Sequence, residues 1–400
     1  MADKRCHLYD TPISTPGPMG VLRMRALSTA SLFALLTISF SVVNKPALAE
    51  MKAAEVIAKL GLVESEMPVR DMSGWVKPGA VIVRTDGPDR MAWFREEIPN
   101  DVVLIPAKNV REAAQSAAKN AGSIRAAVGF CSAGIIKAGP NIHWLQVPFA
   151  GVAQCVSIPE VAQGDYLITN MQRLAGPQIA EHVMAMVFYF ARGLDHYAAE
   201  QSKKNWNRFA VPPNQLWSLS SKTMLITGLG GIGTQTARLA SGLGMRVIAT
   251  RNSSREGPGF VDYVGLADEL PELIAQANVV VNALPLTDTT RNLFDAALFS
   301  RMKPSALFIN VGRGGSVVTD DLIAALKNNS IAGAGLDVQE PEPVPPEHPL
   351  WEAPNLLITP HMSSFNDAGR DMFWIVLREN LRRYVNGERM LSVVDIDAGY

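Results

Sequence analysis

The chain has 400 residues, 48% of them apolar and 19% charged, and a net charge of -1 at pH 7. That length exceeds what one hydrophobic core usually supports, so we expect a globular protein of two domains. The near-neutral charge argues against nucleic acid as a partner, and the three cysteines are too few for a disulfide scaffold or a zinc module. We predict no metal site.

The amino terminus has the pattern of a secretory signal peptide. Two arginines precede an uncharged apolar stretch, 26–43, and Ala47-Leu48-Ala49 offers a cleavage site. We therefore expect residues 1–49 to be an upstream extension and signal peptide. The mature protein is then periplasmic or secreted, with no stable membrane span after cleavage. The alternative is a mispredicted start, in which case a cytoplasmic protein begins near Met51.

Two cysteines bear on the compartment. Once residues 1–49 are removed, Cys131 and Cys155 are the cysteines that remain. An oxidising compartment could bridge them, although the sequence does not show whether their Cα atoms lie close enough. We expect two buried free thiols.

Residues 51–174 are predicted to form a small α/β domain. Short apolar runs mark its buried strands, at 81–83, 102–105, 126–128 and 144–147, and a helix is expected at 110–121. Ligands bind at the carboxyl ends of parallel strands. The residues after the last two strands are therefore candidates for substrate binding: Cys131, Ser132, Ala150 and Gly151. The alternative for each of them is an ordinary turn.

Residues 178–192 are apolar on almost every side, which is typical of a buried helix. Its charged members, Glu181 and His182, are expected to satisfy each other or nearby backbone groups in a structural role. A polar connection, 205–220, then leads into the first strand of the second domain.

A glycine-rich turn opens the second domain. An apolar run leads into Gly228-x-Gly230-x-x-Gly233, and a helical pattern and a second apolar run follow. Strand, turn and helix in this order are what make three glycines a dinucleotide-binding motif. Gly228 permits the tight turn, Gly230 lets a pyrophosphate approach the main chain, and Gly233 allows helix and strand to pack closely. Gly231 and Ile232 complete the predicted phosphate site, where the helix N-terminus presents free N–H groups.

The end of the second strand favours NADP(H) as the cofactor. NAD-selective proteins usually carry an acid here for the ribose 2′-OH, but residues 250–255 contain no carboxylate. Arg251, Ser253 and Arg255 could instead hold a 2′-phosphate, which an acid would repel. NAD(H), or a solvated basic loop without a binding role, are the alternatives. If the protein is exported, the cofactor has to leave the cytoplasm bound to it.

Beyond Arg255, apolar runs alternate with helical segments, which is typical of a parallel sheet with helices on both faces. Strands are expected at 279–282, 307–310, 334–337 and 356–359, with Thr319 as the N-cap of an intervening helix. The predicted fold class is α/β. A Rossmann doubly wound parallel sheet forms the cofactor domain, and a second, smaller flavodoxin-like α/β domain binds the substrate.

Three charged side chains follow the ends of three of these strands: Arg313, Glu342 and His361. A guanidinium binds a planar carboxylate through two parallel hydrogen bonds, and an imidazolium can give a proton to a keto oxygen as hydride arrives. A carboxylate beside the imidazole favours its charged form and orients the ring. Singly they could be a loop cation, an acid in a Pro-rich turn and a capping histidine. Together they predict a catalytic set for the reduction of a 2-oxoacid.

These motifs resemble the D-isomer-specific 2-hydroxyacid dehydrogenase family. The matching segments cover most of residues 175–365, and they are 228–233, 282–290, 302–314, 333–343 and 359–361. The resemblance implies that Arg313, Glu342 and His361 are catalytic. It also implies that Asp337 contacts the nicotinamide carboxamide and that the enzyme is a homodimer. Further cofactor-binding candidates in the matching segments are Leu284, Pro285 and Val311.

The resemblance also implies how the chain is divided. Residues 51–174 would form the substrate domain and 175–366 the NAD(P)-binding domain, while the C-terminal helix and tail, 367–400, return to the substrate domain. A carboxylate at Glu342 argues against the formate-oxidising members, which carry an amide there. After His361, the residues Met-Ser-Ser-Phe replace the glycines of many members, and this difference bears on the substrate pocket.

The sequence therefore predicts an NADP(H)-preferring reductase that converts a small 2-oxoacid to the D-2-hydroxyacid. The Arg251/Arg255 loop is similar to that of the glyoxylate and hydroxypyruvate reductase branch, which places the expected substrate in that class. The alternative is an NAD(P)(H)-sensing binding or regulatory protein on the same fold, with little catalysis.

Overall fold

Two parallel β-sheets, each covered by helices, organise the computed structural model, which describes residues 51–252, 254–366 and 369–396. The residues from Met51 onward form one compact unit that contains both sheets. The predicted signal peptide and Ser253 lie outside the described residues.

The first sheet has five parallel strands in the order β2-β1-β3-β4-β5. They are β1 (Ala80–Arg84), β2 (Val103–Ala107), β3 (Ile124–Val128), β4 (Trp144–Gln146) and β5 (Leu167–Thr169). The helices along this stretch are α1 (Ala53–Leu60), α2 (Pro88–Arg95), α3 (Val110–Lys119), α4 (Ala133–Ala138), α5 (Ala153–Val156) and α6 (Pro159–Ala162). The strand order reverses between β1 and β3, so the carboxyl ends of these two strands border a crevice. The sequence prediction misses β5, which is only three residues long.

The second sheet has seven parallel strands in the order β12-β11-β10-β9-β6-β7-β8. They are β6 (Thr223–Thr227), β7 (Arg246–Arg251), β8 (Tyr263–Leu266), β9 (Val279–Asn282), β10 (Leu307–Asn310), β11 (Gly333–Leu336) and β12 (Leu356–Ile358). The helices here are α7 (Gly176–Ala191), α8 (Leu194–Ser202), α9 (Gly231–Gly242), α10 (Leu270–Ile274), α11 (Ala296–Ser300) and α12 (Thr319–Lys327). The order reverses between β6 and β9, as in a Rossmann sheet. The predicted fold class is confirmed.

Most strands of both sheets are buried on both faces, which explains why they read as continuous apolar runs. Helix α7 packs on α9 and on the second sheet, and it buries apolar residues around most of its circumference. The prediction of a buried helix at 178–192 is confirmed.

The last helix, α13 (Gly369–Asn386), packs against α1 and joins the core of the first sheet. Asn380 donates a hydrogen bond of 2.8 Å to Gln146 at the end of β4. Tyr384 is fully buried, with its ring 4.7 Å from that of Trp144. The chain therefore crosses from the first sheet to the second and comes back.

One predicted helix boundary is wrong by a residue. Thr319 is the first residue of α12 rather than its N-cap, which is Val318. The Thr319 hydroxyl instead donates a hydrogen bond of 2.6 Å to the carbonyl oxygen of Glu340. A tertiary contact thus uses the hydroxyl that the local pattern assigns to a cap, and it fixes the segment that carries Glu342.

Candidate active site

A buried row of polar side chains joins the carboxyl ends of the central strands in the second sheet. Thr227, Asn282 and Asn310 are the last residues of β6, β9 and β10, they lie side by side in register, and all three are fully buried. The Asn282 amide donates hydrogen bonds to the Asn310 side chain (2.9 Å) and to the Ser316 hydroxyl (2.6 Å). Since buried polar groups are costly unless they are paired, this row fixes the edge of the sheet.

That row holds the backbone of Arg313. Its carbonyl oxygen accepts hydrogen bonds from the Asn310 amide (3.2 Å) and the Ser316 hydroxyl (2.7 Å). Gly314, the next residue, has no room for a side chain, because a Cβ atom there would lie 2.1 Å from the carbonyl group of Gln339. The chain after β10 is therefore constrained to place Arg313 at the edge of the sheet.

The Arg313 side chain is partly buried and faces the first sheet. One Nη donates a hydrogen bond of 2.7 Å to the Gly312 carbonyl oxygen, and the other Nη lies against Gly151. Burial lowers the pKa of Arg313, and the nearby Glu342 carboxylate opposes that effect. An arginine guanidinium stays protonated in proteins, and it has five N–H donors. Arg313 can therefore still bind a carboxylate with two of them.

Glu342 and His361 form a hydrogen-bonded pair. The Glu342 carboxylate lies 2.5 Å from Nδ1 of His361. A carboxylate at this nitrogen keeps the Nδ1 proton in place and leaves Nε2 directed away from Glu342. The His361 side chain is about half exposed, so Nε2 is accessible to a ligand. The structure thus brings all three predicted catalytic side chains to one edge of the second sheet.

His361 has an unusual backbone conformation. Its φ is +51°, in the left-handed region that non-glycine residues rarely adopt. Its N–H donates to the Asp337 carbonyl oxygen at 2.9 Å. Such a conformation costs of the order of 1–3 kcal/mol and persists where its surroundings fix it.

Asp337 provides that constraint. It is 1% exposed, and its carboxylate accepts hydrogen bonds from the Thr359 hydroxyl (2.6 Å) and from the backbone N–H groups of Met362 (3.0 Å) and Ser363 (3.1 Å). Although burial raises it, these hydrogen bonds lower the pKa of Asp337 below its usual value. Asp337 therefore acts on the loop that carries His361. Its contact with the nicotinamide carboxamide stays a prediction.

His182 belongs to the same network, and the sequence reasoning misses this. Its Nε2 lies 3.0 Å from the Thr359 hydroxyl and 3.9 Å from the Asp337 carboxylate. Glu181 is exposed. The sequence predicts that the two residues pair with each other or with nearby backbone groups, but the partners of His182 are the distant side chains of Thr359 and Asp337. Thr359 is 177 residues away along the chain, and the apolar pattern of the helix holds no signal for it.

The glycine turn has the geometry that a pyrophosphate requires. Gly228 has a φ of +90°, and a Cβ atom on Gly233 would lie 2.0 Å from the Gly228 carbonyl oxygen. Gly230 precedes α9, and a Cβ atom there would meet nothing within 4 Å, so open space lies over the turn at the helix N-terminus. Gly231 packs closely on Arg173, and Ile232 forms part of the first turn of α9. These residues fit a dinucleotide.

Three further residues that the sequence predicts to bind the cofactor lie around this turn. Leu284 and Pro285 follow β9, Val311 follows β10, and a Cβ atom on Gly228 would touch the Leu284 side chain at 3.0 Å. Val311 is buried, and its N–H donates to the Asn282 carbonyl oxygen at 3.1 Å. Leu284 and Pro285 thus lie at the carboxyl end of β9, which borders the reversal of strand order, and Val311 lies at the carboxyl end of the neighbouring strand β10.

Arg251, the last residue of β7, and Arg255, in the loop that follows, both have partners within the protein. Arg251 donates to the Glu256 carbonyl oxygen at 2.8 Å, and Arg255 forms an exposed ion pair of 2.7 Å with Glu269. Tyr263 donates a short hydrogen bond to the same carboxylate. Hydrogen bonds from Tyr263, the Leu266 backbone and Arg255 lower the pKa of Glu269 to about 2. A 2′-phosphate would therefore compete with Glu269 for Arg255.

Of the four candidate substrate residues, Gly151 is the one that reaches the catalytic set. A Cβ atom built on it would lie 2.3 Å from Nη of Arg313. Ala150 precedes it, and its carbonyl oxygen accepts a hydrogen bond of 2.8 Å from Asn170 at the end of β5. The segment that follows β4 is thus fixed by the first sheet and touches Arg313 of the second.

Cys131 and Ser132 have structural roles. The Sγ atoms of Cys131 and Cys155 form a disulfide, with Cα atoms 5.7 Å apart, so the expectation of free thiols is wrong. The disulfide ties the end of β3 to α5, close to Gly151. Ser132 is the N-cap of α4, where its hydroxyl accepts a hydrogen bond from the Ile135 N–H.

Two features are absent from the described residues. They contain no cluster of three or more His, Cys, Asp or Glu side chains that could hold a metal ion. They also contain no helix that is long and apolar enough to span a membrane.

The chain is similar to several known proteins. Residues 184–363 match the model of the D-isomer specific 2-hydroxyacid dehydrogenase NAD binding domain. The chain is 36% identical over 264 residues to an uncharacterized protein of the proB 3′ region of Corynebacterium melassecola, covering 65% of this chain and 84% of the relative. It is 31% identical over 225 residues to glyoxylate/hydroxypyruvate reductase A of Photorhabdus laumondii subsp. laumondii, covering 56% and 69%.

Among solved structures, one similar protein is an NADPH-dependent glyoxylate/hydroxypyruvate reductase from Sinorhizobium meliloti, in complex with NADP and sulfate. The TM-score is 0.66 at 26% identity, and the match covers 80% of this chain and 100% of that one.

Proposed function

Because the chain belongs to the D-isomer-specific 2-hydroxyacid dehydrogenase family, as its relatives and its NAD-binding segment show, we propose that it reduces a small 2-oxoacid to the D-2-hydroxyacid. Glyoxylate and hydroxypyruvate define the substrate class, since two of the similar proteins are reductases of these acids. The observation that carries this proposal is the convergence of Arg313, Glu342 and His361 at one edge of the cofactor sheet.

Each side chain has a definite task in this reaction. Arg313 binds the substrate carboxylate with the N–H donors that Gly312 does not use, which orients the neighbouring keto group. When bound, the reduced nicotinamide supplies the hydride that reduces the keto carbon. His361 donates its Nε2 proton to the keto oxygen, and Glu342 stabilises the imidazolium before that transfer and holds the Nδ1 proton after it.

A substrate panel tests the proposal. Consumption of NADPH and of NADH would be followed with glyoxylate, hydroxypyruvate and longer 2-oxoacids, and the configuration of the product would be determined by chiral chromatography. Steady turnover to a D-2-hydroxyacid, lost in His361→Gln, is expected. Binding of NADPH without turnover of any 2-oxoacid would contradict the proposal and favour a cofactor sensor.

For the cofactor, we propose a preference for NADP(H) over NAD(H). The described residues between 250 and 255 include two arginines and no acid. The Arg251 side chain is partly exposed. The Sinorhizobium meliloti reductase is in complex with NADP. Ser253, the third candidate ligand, lies outside the described residues. A lower KM for NADPH than for NADH in the wild type, with the difference lost in Arg251→Ala, is the expected result.

We propose the division of labour that the resemblance implies: residues 51–174 and 367–400 bind the substrate, and 175–366 bind the cofactor. The contact of α13 with the core of the first sheet supports this assignment.

We also propose a homodimer. Met184 and Phe188 of α7, Leu239 of α9 and Leu243 just after it line an apolar groove, a surface that favours association with a second copy. Sedimentation at micromolar concentration should give twice the monomer mass, and a monomer would contradict it.

For the compartment, we propose export and maturation after Ala49. The disulfide between Cys131 and Cys155 supports an oxidising compartment, because such bonds are rare in the cytosol. Mass spectrometry of the protein from its native cells should find an amino terminus at Glu50 and no thiol that reacts with an alkylating reagent before reduction. A cytoplasmic chain that begins at Met51, or that keeps residues upstream of Glu50, with both thiols free, would contradict export.

A further inference from the structure

A cavity of about 490 Å³ opens at the carboxyl ends of the first sheet. Arg84 at the end of β1 and Lys108 just after β2 form one wall, and Phe149 after β4 and Trp374 of α13 form the others. It lies beside the reversal of strand order between β1 and β3, which is where ligands bind in open α/β sheets.

The charge of this cavity is positive. Within the described part of the chain, neither Arg84 nor Lys108 forms a salt bridge. Asp86, the acid in the cavity wall, lies 3.4 Å from Arg90. The Arg84 stem is fixed, because it packs so closely on Gly129 that a Cβ atom there would lie 2.7 Å away. Its guanidinium lies 5.8 Å from the Phe130 ring centroid. Two cations without acidic partners in a partly apolar cavity favour an anion.

Trp374 gives the cavity an aromatic wall. The residue is 5% exposed and lines the cavity. Its indole N–H is buried and has no acceptor among the described residues, so this group is not accessible to a ligand, and Trp374 contributes aromatic surface to the cavity.

The cavity is adjacent to Arg313. Phe149 lines it, and Gly151, two residues further on, touches the Arg313 guanidinium. Consecutive Cα atoms are about 3.8 Å apart, so the two positions are separated by at most about 7.6 Å. One small molecule can therefore reach from Arg313 into the cavity.

We infer that Arg84 and Lys108 form a second anion subsite, and that the preferred substrate is a 2-oxoacid with a second anionic group two or three carbons beyond the keto carbon. Arg313 binds the carboxylate next to the keto group, Phe149 contacts the carbon chain, and Arg84 and Lys108 bind the distal anion. This inference rests on the proposed reductase function and names a narrower class within its 2-oxoacid substrates.

The test compares 2-oxoglutarate and oxaloacetate with 2-oxopentanoate, whose chain ends in a methyl group. The wild type should show a kcat/KM for a dianionic substrate that exceeds the neutral-tailed one by roughly tenfold to a hundredfold. Arg84→Gln and Lys108→Gln should remove that preference through KM for the dianion and leave turnover of 2-oxopentanoate unchanged. Arg84→Lys should retain part of it. Lys119→Gln, an exposed change on α3, is the matched control.

A phosphorylated 2-oxoacid in the same panel distinguishes a distal phosphate from a distal carboxylate. Equal kcat/KM for charged and neutral tails in the wild type, or an undiminished preference in Arg84→Gln, would overturn the inference. Calorimetry measures the binding of 2-oxoglutarate to the enzyme with NADP⁺. This measurement requires no turnover, so it tests the subsite separately from the reaction. If no 2-oxoacid is reduced, the proposed function fails; binding that Arg84→Gln weakens still supports the subsite, and binding that it leaves unchanged overturns it.

Discussion

Gly151→Ala tests whether the first sheet positions the guanidinium of Arg313. A Cβ atom at residue 151 would lie 2.3 Å from Nη, whereas ordinary van der Waals contact begins at 3.4 Å. The guanidinium must therefore move by about 1.1 Å, and displacements of about 1 Å can reduce turnover by about a hundredfold. That factor corresponds to about 2.7 kcal/mol of transition-state stabilisation.

The assay is steady-state oxidation of NADPH with the best 2-oxoacid, together with the dissociation constant of NADPH. We expect kcat/KM for the 2-oxoacid to fall between tenfold and about a hundredfold, with cofactor binding unchanged. Gly122→Ala is the control, because a Cβ atom there meets nothing within 4 Å. A Gly151→Ala enzyme within about twofold of the wild type, or an equal loss in Gly122→Ala, would refute the reasoning.

Three further predictions concern charged groups. Glu342→Gln should lower kcat by about tenfold to a hundredfold with little change in KM for the 2-oxoacid, because His361 loses the partner that stabilises its charged form; an unchanged kcat would exclude that role. Glu269→Gln should release Arg255 and improve KM for NADPH relative to NADH by about twofold to fivefold. The pKa of Glu269 is about 2, so this gain should not depend on pH across the working range, and an unchanged ratio would exclude Arg255 as a ligand. Asp337 has a lowered pKa, so its carboxylate contributes its full stability above the unfolded value of 3.8, and that contribution is lost as pH falls through the lower folded value. Unfolding free energies should therefore fall below about pH 4 more steeply in the wild type than in Asp337→Asn; parallel curves would contradict this.

Much of the cofactor sheet could be predicted because its signals are local. Each central strand is a short apolar run that ends in a polar residue or a glycine, and the strand–turn–helix order around Gly228 is fixed by backbone conformation. The positions of Arg313, Glu342 and His361 follow from the same rule, since each comes just after a parallel strand. The β8 strand, 263–266, is missed because its sequence has a glycine and an exposed tyrosine.

The features that escape prediction depend on contacts between distant residues. His182 contacts Thr359 across 177 positions, and Thr319 uses its hydroxyl on Glu340 rather than on its own helix. The sequence contains one indication of the buried polar row, because Asn282 and Asn310 each end an apolar run. Their hydrogen bonds to each other and to Ser316 require the strand register, which the sequence does not specify.

The disulfide shows the same limit. Both cysteines are visible in the sequence, but their pairing depends on how the ends of β3 and α5 approach each other. The cavity at Arg84 and Lys108 is likewise assembled from strand ends and from α13, which lies more than 260 residues further along the chain.

The most direct test of the account is the Arg313→Ala variant, assayed for 2-oxoacid-dependent oxidation of NADPH and, in parallel, for binding of NADPH. We expect kcat/KM for the 2-oxoacid to fall by about a thousandfold, because two charge-assisted hydrogen bonds to the substrate carboxylate are lost. The dissociation constant of NADPH should stay within about twofold of the wild type. Turnover close to that of the wild type would contradict the central claim that Arg313 holds the substrate for reduction.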